Sequence, residues 1–137
     1  GDVPKTTYEV TLEALKIKGS DFLCGLTFPV DDSHATLILG GWGGGLVGLS
    51  SIDNSDASEN PTTKYRDFYP DRWYRVRLRV TPKKIEAWLN DDPIIDLETA
   101  GKKISLRPGE IDKSIPLGLA TYQTSAAYRN IRLRRLP

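Results

Sequence analysis

RWYRVRLRVTPKKIEAWLNDDPIIDLE, residues 72–98, is where the architecture of this chain can be worked out. From Trp73 to Thr81 the side chains alternate. Tyr74, Val76, Leu78 and Val80 point one way, and Trp73, Arg75, Arg77 and Arg79 point the other. A period of two with one apolar side is the pattern of a half-buried strand. Pro82-Lys83 turns the chain. Residues 84–90 supply the partner strand, with Ile85, Ala87 and Leu89 on one face and Glu86 and Trp88 on the other. Asn90-Asp91-Asp92-Pro93 is a second turn signal, and residues 94–98 form a third short strand. The stretch is an antiparallel meander.

The same period recurs on either side. Tyr8, Val10 and Leu12 alternate with Glu9, Thr11 and Glu13. Residues 22–29 and 34–39 are apolar runs rich in β-formers, and 45–50 is a strand thinned by glycine. Residues 116–122 and 127–136 give two closing strands, while 51–62 and 99–115 read as polar loops. No stretch shows sustained helical periodicity. About ten short strands separated by turn signals predict an antiparallel sandwich or barrel. We expect an all-β, two-sheet antiparallel jelly roll, in which the second sheet protects the strand edges.

The totals agree with one globular domain. At 137 residues there is room for a core, and 39% hydrophobic with 27% charged residues is ordinary for a folded chain. Lys plus Arg is 19 and Asp plus Glu is 18, so bulk charge gives no argument for nucleic acid. No run approaches the roughly 18 apolar residues of a membrane span. The single cysteine, Cys24, lies in the apolar run FLCGLTF and reads as a small buried filler. It excludes an internal disulfide and a Cys-based zinc site. The chain has no Met and begins with Gly, and we read 1–137 as one domain excised from a longer protein.

The candidate binding segment is LGGWGGGLVGLSSIDNSDASEN, residues 39–60. Trp42 stands among Gly40, Gly41, Gly43, Gly44 and Gly45, where a bare backbone lets a ligand approach. An indole held there is a platform for a sugar ring; the alternative is a Trp filling space over a glycine-rich strand. Asp53, Asn54, Asp56, Glu59 and Asn60 follow, able to fix sugar hydroxyls; the alternative is a solvated loop with Asx turns. The expected ligand-binding set is therefore Trp42, Gly43, Gly44, Asp53, Asn54, Asp56, Glu59 and Asn60. Asp53 and Asp56 are also candidates for calcium, which takes six to eight oxygens. The EF-hand pattern fails, because Ser55 and Ala57 stand where it needs acids. Asp56 and Glu59 are the candidates for carboxylate acid/base chemistry on a glycosidic bond. His34, the one histidine, lies on an expected strand and reads as structural or surface.

Arg75, Arg77 and Arg79, with Arg132, Arg134 and Arg135, form an arginine stripe. One reading is a solvated sheet face neutralised by Glu9, Glu13 and Glu86 across the strands. The other is a surface for nucleic acid or an anionic glycan, the latter as a concave face suited to sulfated or uronic polysaccharides. Tyr65, Tyr69, Trp73 and Tyr122 add aromatics near strand ends, as core or rim.

Two segments carry a family resemblance. RWYRVRLRVTPKKIEAWLNDDPIIDLE resembles the W-alternation, turn, I-x-x-W, turn, hydrophobic-hydrophobic-D hairpin of concanavalin A-like (laminin-G-like) jelly rolls. PLGLATYQTSAAYRNIRLRRL, residues 116–136, resembles the close of the bacterial 3-keto-disaccharide hydrolase domain family. The resemblance implies a jelly roll, a carbohydrate or polysaccharide partner, and a secreted, periplasmic or cell-envelope location. It also implies hydrolase or lyase activity on (3-keto-)glycosides as one alternative, with an adhesion or assembly domain as another. Many laminin-G-like domains hold calcium near the groove. From the residues and the resemblance together we expect a carbohydrate-binding jelly-roll domain, with no nucleic-acid or membrane partner.

Overall fold

The computed structural model describes residues 4–50, 52, 53, 55, 57, 60–102, 104, 117–121 and 124–137, with Trp42 described in its backbone alone. Among these residues the strands are β1 (Tyr8–Gly19), β2 (Cys24–Val30), β3 (Ser33–Gly40), β4 (Leu46–Ser50), β5 (Lys64–Tyr65), β6 (Trp73–Val80), β7 (Lys84–Leu89), β8 (Asp92–Glu98), β9 (Gly118–Ala120) and β10 (Thr124–Arg135). A single helical turn, α1 (Gly41–Gly44), joins β3 to β4. The strands form two antiparallel five-stranded sheets: sheet A, in the order β10-β1-β6-β7-β8, and sheet B, in the order β5-β4-β3-β2-β9. The alternative between barrel and sandwich resolves as a sandwich.

The meander is as the alternation predicts. Arg77 faces Trp88 and Val80 faces Ile85 across β6 and β7. Tyr74, Val76, Leu78, Val80, Ile85, Ala87 and Leu89 are all buried. Asn90 and Asp91 hold φ of 50° and 69°, the double left-handed geometry of a tight hairpin turn. The Asn90 side-chain oxygen accepts the Arg75 amide at 2.8 Å, which holds the turn against β6. Strand β8 starts two residues earlier than expected, at Asp92. Pro93 is tolerated there because β8 is an edge strand and the ladder shifts register between Ala87 and Trp88.

Between the sheets the inner faces meet in one core. Tyr8, Val10 and Leu12 of β1 pack with Leu26 and Phe28 of β2, Leu37 and Leu39 of β3, and Leu49 of β4. Burying a leucine such as Leu78 contributes about 2–3 kcal/mol from its area alone. Cys24 sits fully buried in this core, as expected, and burial pushes its thiol up to about 12.

The sheets differ on their outer faces. Outside sheet B, Ile38, Leu46 and Ala57 are buried together with Phe22 against them. A Cβ on Gly48 would lie 2.9 Å from the Ala57 carbonyl oxygen, so this backbone passes directly over the strand. The outer side chains of sheet A are exposed or half-buried, with Glu9 the exception. Sheet A therefore carries the open face.

Two elements were not legible. The turn α1 contains three glycines and one tryptophan, so it has no apolar period to read. Strand β5 is two exposed residues that only pairing with Leu46 and Val47 defines.

Candidate functional site

The open face of sheet A is built from the outward set of its alternating strands. Registers align these residues in cross-strand rows. Arg134, Glu9, Arg79, Glu86 and Asp96 form one row. Arg132, Thr11, Arg77 and Trp88 form the next, and Arg129, Glu13 and Arg75 the third. Ala127, Leu15 and Trp73 end the face.

The third row exists because β10 is bulged. Between the pairs Thr11–Arg132 and Glu13–Arg129, Asn130 and Ile131 stand opposite Leu12 alone. Asn130 takes φ 55°, a left-handed conformation that asparagine tolerates better than most side chains. The bulge turns the Asn130 amide outward, where it donates to Glu13 Oε2 at 2.9 Å. This corrects the arginine stripe. Arg135 pairs with the inward-facing Tyr8 and so leaves the outer rows, while Arg129 joins them.

The ion pairing is unequal between rows. Glu9 is only 4% exposed and lies among three guanidinium groups: Arg134 at 2.8 Å, Arg79 at 3.5 Å and Arg77 at 3.7 Å. Glu13 accepts Arg129 Nε at 2.6 Å. Hydrogen bonds from Arg129 and Asn130 hold its carboxyl below the usual range, so it stays ionised. Arg75 pairs with Asp91 at 2.9 Å. The middle row contains no carboxylate. Two indoles carry guanidinium groups on their faces: Arg77 lies 4.2 Å from the Trp88 ring centre and Arg129 lies 3.8 Å from that of Trp73.

A cavity of about 370 Å³ opens over these rows, bounded by Glu13, Arg75, Arg77, Trp88, Asn130 and Arg132. That volume lies at the lower end of the range for small-ligand pockets. A second hollow continues along β10 past Arg132 and Arg134. Sequence reasoning raised the arginines as an option but missed Trp88, Thr11 and Asn130. Strand alternation with the β6–β7 register would have placed Trp88 beside Arg77. The Asn130 bulge had no readable signal.

The residues expected to bind ligand fall in different places. Gly43 and Gly44 take φ of 89° and 109°, and nothing lies within 4 Å of a Cβ built on Gly43. The Gly43 amide donates to Asp21 Oδ2 at 3.1 Å. This turn lies at the cavity's end of the sandwich: the Arg66 amide donates to the Gly45 carbonyl at 2.8 Å, and the Arg66 guanidinium pairs with Asp92, next to the cavity residue Asp91. Asp53 lies beyond the far end of β4, about 17 Å of strand further on at ~3.3 Å per residue, and pairs with Lys102 at 3.8 Å. The turn and Asp53 are thus not brought together. Asn60 ties its own loop, donating to the Leu49 and Ser55 carbonyls and accepting the Thr62 amide. The Trp42 side chain, Asn54, Asp56 and Glu59 lie outside the described residues, as do Tyr122 and most of the 99–115 loop. Among the described residues no three His, Cys, Asp or Glu side chains gather as a metal site. Gly43, Gly45 and Gly48 also spell G-x-G-x-x-G, but they lead into strand β4 and not into the helix that a dinucleotide turn requires. His34 is partly buried on β3, and desolvation lowers its pKa.

Two antiparallel five-stranded sheets, one covered outside and one open and polar, define a jelly-roll sandwich of concanavalin A-like type. More narrowly, the chain belongs to the 3-keto-alpha-glucoside-1,2-lyase-like domain family, whose model matches residues 5–134. Solved structures share the fold. The carbohydrate-binding module CBM66 from Bacillus subtilis superposes with a TM-score of 0.56 at 12% identity, covering 93% of this chain and 74% of that one. Sheep galectin-11 in complex with glycerol gives 0.52 at 11%, covering 97% and 93%. The alginate lyase A1-II' gives 0.54 at 11%, covering 98% and 65%. No curated protein matches the chain.

Proposed function

We propose that this domain binds carbohydrate along the open face of sheet A. The carrying observation is the cavity of about 370 Å³ over the β10-β1-β6-β7 rows, walled by charged and amide side chains with half-buried Trp88 among them. Such a wall offers many donors and acceptors to a polyol. The family supports the reading, as do structural neighbours described as a carbohydrate-binding module and an alginate lyase. The Gly40–Gly45 turn lies toward the same end of the sandwich as the cavity, and we keep Trp42 as a proposed platform there. On the same basis we place the domain in a bacterial protein that is secreted or held in the cell envelope.

The second reading is an enzyme acting on (3-keto-)glycosides, which the family description favours. Asp56 and Glu59 are its proposed acid/base candidates; calcium at Asp53 and Asp56 is a separate proposal that either reading can accommodate.

A glycan array separates these readings. We expect binding by the wild type and loss in Trp88→Ala. Loss in Trp42→Ala alone moves the site to the turn, and loss on chelation brings in the metal. Absence of binding to every glycan, with turnover of a 3-keto-glycoside, replaces the binding module with the enzyme.

A further inference from the structure

We infer that the middle row of sheet A, Arg132–Thr11–Arg77, is a subsite for the anionic group of an acidic saccharide, a uronate carboxylate or a sulfate ester. The inference rests on the carbohydrate reading and narrows its substrate class.

Three observations lead to it. First, the middle row has no carboxylate of its own. Glu9 serves Arg134 and Arg79 and reaches Arg77 only at 3.7 Å, while Glu13 and Asp91 serve Arg129 and Arg75. The middle row has a threonine where its neighbours have glutamates. Arg132 is exposed and makes no ion pair among the described residues, and it borders both hollows.

Second, Arg77 is already oriented. Its guanidinium lies 4.2 Å from the centre of the Trp88 ring, and its Nε faces Glu9 at 3.7 Å. A guanidinium fixed on an indole loses less freedom when it engages a planar anion, and its fork of donors matches a carboxylate or sulfate.

Third, the two indoles on this face carry arginines: Arg77 and Arg79 on Trp88, and Arg129 on Trp73. The ligand therefore meets cationic forks before it meets aromatic surface. The same observation disfavours single-stranded nucleic acid, whose bases need open aromatic faces along a basic track. Thr11 would add a hydroxyl donor between the two arginines.

The test uses matched pairs of polymers and the intact domain: polygalacturonate against its methyl ester, dextran sulfate against dextran, and a single-stranded oligonucleotide. Binding is measured by calorimetry at low and moderate salt. We expect the charged member of at least one pair to bind and its neutral counterpart to bind at least tenfold more weakly, with affinity falling as salt rises. Which pair discriminates tells uronate from sulfate. Arg132→Gln should weaken binding roughly tenfold, the value of one charge-assisted contact. Thr11→Glu, which fills the row with a carboxylate, should abolish it. Lys83→Gln, on the β6–β7 turn, is the charge-matched control and should change nothing. Thermal melts confirm folding, and Arg132→Gln alone suffices if Thr11→Glu misfolds. Equal binding of charged and neutral polymers, or wild-type affinity in Arg132→Gln, overturns the acidic subsite and leaves the carbohydrate reading standing. Tighter binding of the oligonucleotide than of any glycan also overturns it. If no polysaccharide binds at all, both readings fall.

Discussion

Replacing Glu9 with Gln should lower stability and raise affinity for an acidic glycan at the same time. The Glu9 carboxylate is 4% exposed and meets Arg134 through Nε at 2.9 Å and Nη2 at 2.8 Å, both on Oε2. That contact has the length of a charge-assisted pair, but Arg134 is 69% exposed, so screening holds it to about 1 kcal/mol. The contacts to Arg79 and Arg77 are 3.5 and 3.7 Å long, and those side chains are 35% and 41% exposed. Screening leaves them below about 1 kcal/mol together. Glutamine keeps the shape and one acceptor but turns an amide N–H₂ toward guanidinium donors. We expect a loss of about 1–2 kcal/mol, which for a domain of this size lowers Tm by roughly 4–8 °C. The affinity effect has the opposite sign, because the substitution removes the anion that competes with the ligand for Arg77. One uncompensated charge at roughly 6 Å in water-like dielectric is worth about 0.7 kcal/mol, or about threefold in Kd. Differential scanning calorimetry and titration with polygalacturonate read the two effects on the same preparation. A Tm within about 2 °C of wild type, or a weaker Kd, would refute the account of this row.

Other expectations follow from single contacts. Gly48→Ala sets a Cβ 2.9 Å from the Ala57 carbonyl oxygen and should cost about 1–3 kcal/mol in urea unfolding, whereas Gly43→Ala meets no atom and should cost only the ~1–2 kcal/mol of its left-handed φ. Asn130→Ala should destabilise by the ~1–2 kcal/mol of its left-handed φ, and Asn130→Gly, which also loses the Glu13 bond, should recover it; equal melting of the two variants would deny strain at the bulge. The Cys24 thiol should resist alkylation at pH 8 until the protein unfolds, since burial raises its pKa to about 12. That raised value also sets a sign. The unfolded chain loses the proton near pH 9 and the folded one only near 12, so Cys24's contribution is complete below pH 9 and declines as pH rises above it. Stability that increases from pH 9 to 10.5 would contradict this.

Alternation alone determined most of the fold. Period-two stretches place Tyr74, Val76, Leu78 and Val80 inward and the arginines outward, because the pleat leaves no other choice once one side is apolar. Cys24 was legible in the same way, from an apolar run on both sides. The neutralising roles of Glu9 and Glu13 could be anticipated from charge, though not their unequal partners. Tertiary structure decided what sits beside what. Strands far apart in the chain, β10 and β6, flank β1, and the bulge at Asn130 selects Arg129 and Arg132 for the outer face while releasing Arg135. A one-residue offset reverses the facing of every later side chain, and no local pattern records it. The separation of the glycine turn from Asp53 is of the same kind: eight residues apart from Gly45 in sequence, Asp53 lies at the other end of sheet B because the intervening strand is extended.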